Sequence, residues 1–166
     1  MDGNRTLADV FQARVARTPD REAYREYDPA TSRWRSHTWR QTGERVQHFA
    51  QALARAGIGH GDRIGVLLPN GMAAVCVDQA ALSRACVPAP MHALDNPASI
   101  GYILADSGAS MLFAATRGQW EAVAALAIHL PALKWVVVQD AVASGKSPGQ
   151  GPDGAVARGL AGRRCG

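Results

Sequence analysis

The chain has 166 residues, enough for one domain that buries about two-thirds of its unfolded surface. The formal net charge is +4, carried nearly all by arginine, and acidic residues are interleaved throughout, which argues against a nucleic-acid partner. The densest basic cluster, Arg33, Arg35, Arg40 and Arg45, reads as charge protecting a hairpin edge.

Taken in order, Leu7, Val10, Phe11 and Val15 have helical spacing, with Thr6 as N-cap and Thr18-Pro19-Asp20 as the stop. Residues 22–27 and 33–38 read as two strands around the turn Asp28-Pro29-Ala30-Thr31, with Tyr24, Trp34 and Trp39 packing about this hairpin. Thr38 followed by Gln41 is a capping box. Val46, Phe49, Ala50 and Leu53 continue as the apolar stripe of a core-facing helix, which Gly57 stops in the left-handed position with Ile58 beyond it. The run 64–68 is a strand covered on both faces. Pro69-Asn70-Gly71 ends it, and Asn70 is placed to cap a helix from Met72 to about Arg84 that is apolar nearly all round. Cys86-Val87 enters Pro88-Ala89-Pro90 as the next strand, giving a parallel βαβ unit. Asn96-Pro97 opens a helix ending at Ser107-Gly108, and 111–114 is a strand. Trp120, Val123, Ala124 and Ala127 space as a helix ended by Pro131, and 134–138 is another buried strand. The expected fold class is α/β: a partial open, mostly parallel sheet with flanking helices and an N-terminal β-hairpin.

The stretch Ala56-Gly57-Ile58-Gly59-His60-Gly61-Asp62-Arg63-Ile64-Gly65-Val66-Leu67-Leu68-Pro69-Asn70 resembles the N-terminal region of AMP-forming acyl-CoA synthetases. These belong to the adenylate-forming superfamily, which also contains luciferases and peptide-synthetase adenylation domains. The resemblance continues through Ala85-Cys86-Val87-Pro88-Ala89-Pro90-Met91 and Ile100-Gly101-Tyr102-Ile103-Leu104-Ala105-Asp106-Ser107-Gly108-Ala109, and covers roughly residues 6 to 140. The charged hairpin before the first main helix is most similar to long-chain fatty-acyl ligases. The resemblance implies activation of a carboxylic acid by ATP to an acyl-adenylate, then thioesterification with coenzyme A, with ATP, Mg²⁺ and CoA as the cofactors of the full-length family. The family's catalytic groups come from a Ser/Thr/Gly-rich loop ending in Pro-Lys-Gly, an aromatic–Thr–Glu motif, a ribose-holding Asp and a lysine in a mobile C-terminal domain. None of these occurs in the chain. No catalytic, cofactor-binding or metal-ligating residue is therefore carried over, no cofactor is expected for this chain alone, and it is expected to be inactive by itself. Its expected partner is the remainder of such a synthetase or a second copy. The competing readings are a non-catalytic interaction module and a small nucleotide-binding α/β protein.

At about residue 140 the chain changes character. Residues 1–140 read as a partial synthetase subdomain and 141–166 as a Gly/Ala-rich disordered tail that no longer resembles the family, as expected of truncation or a shifted reading frame. Gly145-Lys146-Ser147 invites a phosphate-loop reading, but Asp140 stands at the first glycine and Pro148-Gly149 follows where a helix is needed. Gly57-Ile58-Gly59-His60-Gly61 lies between a helix and a strand, the reverse of a dinucleotide fingerprint. The histidines His37, His48, His60, His92 and His129 are dispersed, without a Cys or Glu at metal-ligand spacing. His92 alone follows a strand end, where open α/β sheets place ligands, and is the candidate substrate-side residue. Cys76 and Cys86 sit in apolar contexts as core residues, the sparse cysteines fit a reducing compartment, and the N-terminus shows no apolar signal segment. The 71–87 run is too short to span a membrane, and the expected location is cytoplasmic.

Overall fold

The computed structural model describes residues 6–139. The boundary at 140 and the Gly145-Lys146-Ser147 reading lie outside these residues.

Helix α1 (Leu7–Arg17) starts at Thr6, whose side chain accepts from Asp9 N–H while Asp9 reaches back to Thr6 N–H. Strands β1 (Glu22–Asp28) and β2 (Arg33–Thr38) form an antiparallel hairpin. Thr38 ends β2 and caps α2 (Trp39–Arg55), with the reciprocal Gln41 contact in place. At the other end of α2, Gly57 adopts φ 73°. Its N–H bonds Ala54 O, and Ile58 N–H bonds Leu53 O, the paired closure that a left-handed residue makes possible.

Four strands form a parallel sheet: β3 (Arg63–Leu67), β4 (Val87–Pro90), β5 (Met111–Ala114) and β6 (Trp135–Val138), in the order β4-β3-β5-β6. Helix α3 (Met72–Ser83) connects β3 to β4, α4 (Pro97–Ser107) connects β4 to β5, and α5 (Arg117–Ala124) precedes β6. The chain thus pairs β4 on one flank of β3, then crosses to pair β5 on the other. Two cores result. Ile64, Val66, Leu68, Met111 and Phe113 face α1, α2 and α3 through Phe11, Val46, Leu53, Cys76, Val77 and Ala80. Leu67, Leu112 and Ala114 face α4 and α5 through Ile100, Leu104 and Val123. Covering both faces explains why β3 and β5 carry continuous apolar runs rather than alternation. The prolines of β4 sit on an edge strand, where a missing N–H costs least.

Three expectations need correction. The 64–68 strand is shifted back by one residue to Arg63–Leu67. The helix expected to reach Pro131 stops at Ala124, where Leu126 N–H and Ala127 N–H tighten onto carbonyls three residues back and Ala127 turns to φ 51°. Asn70 does not cap α3. Its N-cap is Gly71, which contributes no side chain, and Met72 N–H is instead bonded at 3.0 Å by Glu26 Oε1 from the hairpin.

Candidate functional site

In an open α/β sheet, the crevice lies beyond the carboxyl ends of the strands where the strand order reverses. Here that point lies between β3 and β5, and it is rimmed by the loops after β3 (68–71), β4 (91–96) and β5 (115–116). Backbone bonds extend the ladder into the rim: Met91 N–H to Val66 O at 3.0 Å and Ala115 N–H to Leu67 O at 3.1 Å. Gln119 then stitches the rim together. Its Oε1 accepts from Ala115 and Thr116 N–H at 3.1 Å, and its Nε2 donates to Ala93 O at 3.4 Å across the gap between the β4 and β5 loops.

His92 is exposed in the β4 loop. Its N–H donates to Asp95 Oδ2 at 3.0 Å, and its Nδ1 accepts from Leu94 N–H at 3.2 Å. The ring is thereby turned onto its own loop. With Nδ1 an acceptor, a neutral His92 carries its proton on Nε2 and can offer a hydrogen bond, but not a base, from that nitrogen. Leu94 beside it is 86% exposed, so the same loop presents an apolar side chain as well.

The other histidines are not gathered at this rim. His48 and His60 are exposed on α2 and in the turn before β3, and His129 is exposed after α5. His37, on β2 of the hairpin, is buried. Among the described residues no three His, Cys, Asp or Glu side chains come together as a metal site. Cys76 and Cys86 are buried free thiols, and burial pushes Cys76 up to about 11, which leaves it inert at neutral pH. Two open surface grooves, about 550 and 580 Å³, lie along α1 and α2 and along β2 and α2 respectively, and include no rim residue. The crevice is therefore identified by topology, not by depth. What it supplies is backbone and amide hydrogen bonding plus one imidazole N–H, a means of holding a ligand. Glu26 and Gln119 escaped the sequence reading. Thr116 with Gln119 is a capping-box pattern that would have flagged Gln119. No local pattern marks Glu26.

A family model for AMP-binding enzymes matches residues 11–157. The chain belongs to this family. The matched span passes residue 140 and takes in part of the segment outside the described residues. Among solved structures, the fold is similar to a fatty acyl CoA synthetase of Mycobacterium tuberculosis (22% identity, TM-score 0.72, 80% of this chain and 26% of that one). It is similar to the anthranilate CoA ligase AuaEII in complex with anthranoyl-AMP (20% identity, TM-score 0.70, covering 80% and 24%). It is also similar to a benzoate CoA ligase of Burkholderia xenovorans LB400 (23% identity, TM-score 0.68, covering 82% and 26%). The chain thus spans about a quarter of the length of these acyl- and aryl-CoA ligases. Among the described residues, the parallel sheet, hairpin and five helices share the fold of the matched part of these ligases.

Proposed function

We propose that this chain is the N-terminal scaffold portion of an ATP-dependent, AMP-forming acid–CoA ligase of the fatty-acyl type, and that it forms no acyl-CoA by itself. The observation that carries this reading is the family match over 11–157 in a chain that occupies a quarter of its structural neighbours. The fatty-acid preference is supported by the charged hairpin of β1 and β2 and by the similarity to the mycobacterial synthetase.

In this reading ATP, Mg²⁺ and CoA are bound by the remainder of the synthetase, because the family's Pro-Lys-Gly loop, aromatic–Thr–Glu motif and ribose-holding Asp do not occur in this sequence. The part of residues 6–139 is to hold the crevice in shape and to present His92 Nε2–H and Leu94 to the substrate side. The buried free thiols Cys76 and Cys86 suit a reducing cytoplasmic setting. No helix among the described residues is long and apolar enough to cross a membrane.

The test is acyl-CoA formation from ATP, CoA and a panel of fatty, benzoic and anthranilic acids. The purified 166-residue chain should give no turnover above a mock preparation. Turnover above that level overturns the reading of inactivity. In a form extended to the length of the solved ligases, fatty acids should be the preferred substrates, and a preference for benzoate or anthranilate overturns the fatty-acyl assignment.

A further inference from the structure

The two flanks of the parallel sheet are not alike. Along a paired strand, successive backbone N–H groups point alternately toward the neighbour and away from it. On β4, Val87 N–H bonds Asp62 O at 2.9 Å and Met91 N–H bonds Val66 O at 3.0 Å, so these positions face β3. The outward positions between them are Pro88 and Pro90, which have no N–H to offer. On β6, Trp135 N–H bonds Ser110 O at 3.3 Å and Gln139 N–H bonds Ala114 O at 2.9 Å. The outward positions there are Val136 and Val138, each with an N–H and a C=O. No strand among the described residues pairs with that flank. Prolines seal one side of the sheet, and the other side can both donate and accept.

The free flank is also apolar and matches itself. Strand β6 reads Trp-Val-Val-Val, without the charge or proline that usually blunts an edge. Trp135 and Val137 pack partly on the core below α1, α2 and α3, and Val136 on the core below α4 and α5, so both faces end in half-buried side chains. In the sequence Lys134 precedes the strand and Asp140 follows it. Two such strands laid antiparallel bring unlike charges together at both ends, whereas a parallel arrangement brings like charges together. The sequence from 140 to 166 is a poor match for the same flank, because Val142 and Val156 are its only β-branched or aromatic residues.

We propose that the β6 flank is a self-association surface, on which a second copy of this chain pairs β6 to β6, antiparallel, about a two-fold axis at Val137. Val136 of each copy then lies opposite Val138 of the other, and each such pair exchanges both of its N–H···O bonds. The joined sheet holds the four strands of each copy and ends on β4 at both sides, where the prolines stop further growth. The assembly is therefore a closed dimer and not a filament. A four-residue strand contact falls short of the ~1,200 Å² of a standard interface, so the dimer forms at micromolar concentration and comes apart on dilution. The proposal stands independently of the ligase reading.

The test is amide hydrogen exchange on the 166-residue chain across a dilution series in the micromolar range, with the mass measured by sedimentation equilibrium at each concentration. Protection at Val136 and Val138 should rise several-fold with concentration as the mass moves from monomer to dimer, while Leu112 in β5 stays constant. Val138→Pro removes one outward N–H and spares the bonds to β5. It should leave the chain monomeric at every concentration with Leu112 still protected, and a dimer in that variant overturns the proposal. Whether or not that variant folds, the wild type decides. A monomer with both valines unprotected throughout overturns the proposal. So does a monomer with both protected at the lowest concentration, which would put the chain's own 140–166 segment on the flank. A dimer with the two valines unprotected, or growth beyond a dimer, overturns it as well.

Discussion

At Gly65 the space for a side chain is already taken. A Cβ there would meet Leu104 Cδ2 at 2.8 Å, Met91 Cε at 3.0 Å and Leu112 Cδ1 at 3.2 Å. Gly65→Ala should therefore destabilise the chain by about 1–3 kcal/mol through overpacking of α4 on the sheet, read as a lower denaturant midpoint at unchanged slope. A midpoint equal to wild type would mean that α4 shifts freely. Asp78 is the opposite case, a polar group where none is needed. Its Oδ1 is buried without a hydrogen-bond partner on α3, and burial raises its proton affinity above that of an ordinary carboxyl. A raised value means that the folded state prefers the protonated form. This contribution is present at acid pH and lost as pH rises through the carboxylate range. Asp78→Asn should raise the melting temperature at pH 7, and the difference should close on acidification below the ordinary carboxyl value of 3.8. A constant difference across that range would assign the effect to something other than charge.

Helix α2 shows how much of an element a few local residues settle. Thr38 and Gln41 close one end, Gly57 and Ile58 the other, and Val46 and Leu53 bury the stripe between them. Thr38→Ala should cost about 1 kcal/mol as a lost cap, and Leu53→Ala, in the core, about 2–5 kcal/mol as lost packing plus a cavity. Equilibrium urea unfolding separates the two, and equal costs would contradict the burial of Leu53. Helix α3 lacks that independence. The residue next to its start, Asn70, has the chemistry of a cap, yet a carboxylate from β1 takes the position. The end of α5 is a related case. Trp120, Val123, Ala124 and Ala127 keep helical spacing, but the last of these turns to φ 51° as the chain leaves for β6. Apolar spacing reports which face a segment would bury, not where the backbone departs.

For the whole molecule, the decisive feature is the sheet flank at β6. Among the described residues it is the last strand in the order β4-β3-β5-β6, and its four residues are all only half-buried, in contrast to β5, where all four are buried. Trp135 Nε1–H ties it to Ala56 O at 3.2 Å, and Val136 packs toward α4 and α5. An edge of this kind invites a further strand or a second molecule. The 166-residue chain should bind a hydrophobic dye and melt broadly with concentration-dependent association. A sharp, high-temperature, two-state melt without dye binding would contradict this.

The amino-acid sequence by itself determined the capped helices and the parallel βαβ unit, because caps, left-handed glycines and apolar spacing act between residues a few positions apart, while the family was legible only as a resemblance of the motifs at 56–70, 85–91 and 100–109. His92 was placed at a strand end by the same local logic. Tertiary structure alone decided that β5 pairs with β3 rather than with β4, that Glu26 closes α3 from 46 residues away, and that Gln119 bridges two rim loops. Contacts of that range depend on which faces meet once the chain has crossed the sheet, and nothing in the spacing of neighbouring residues encodes it.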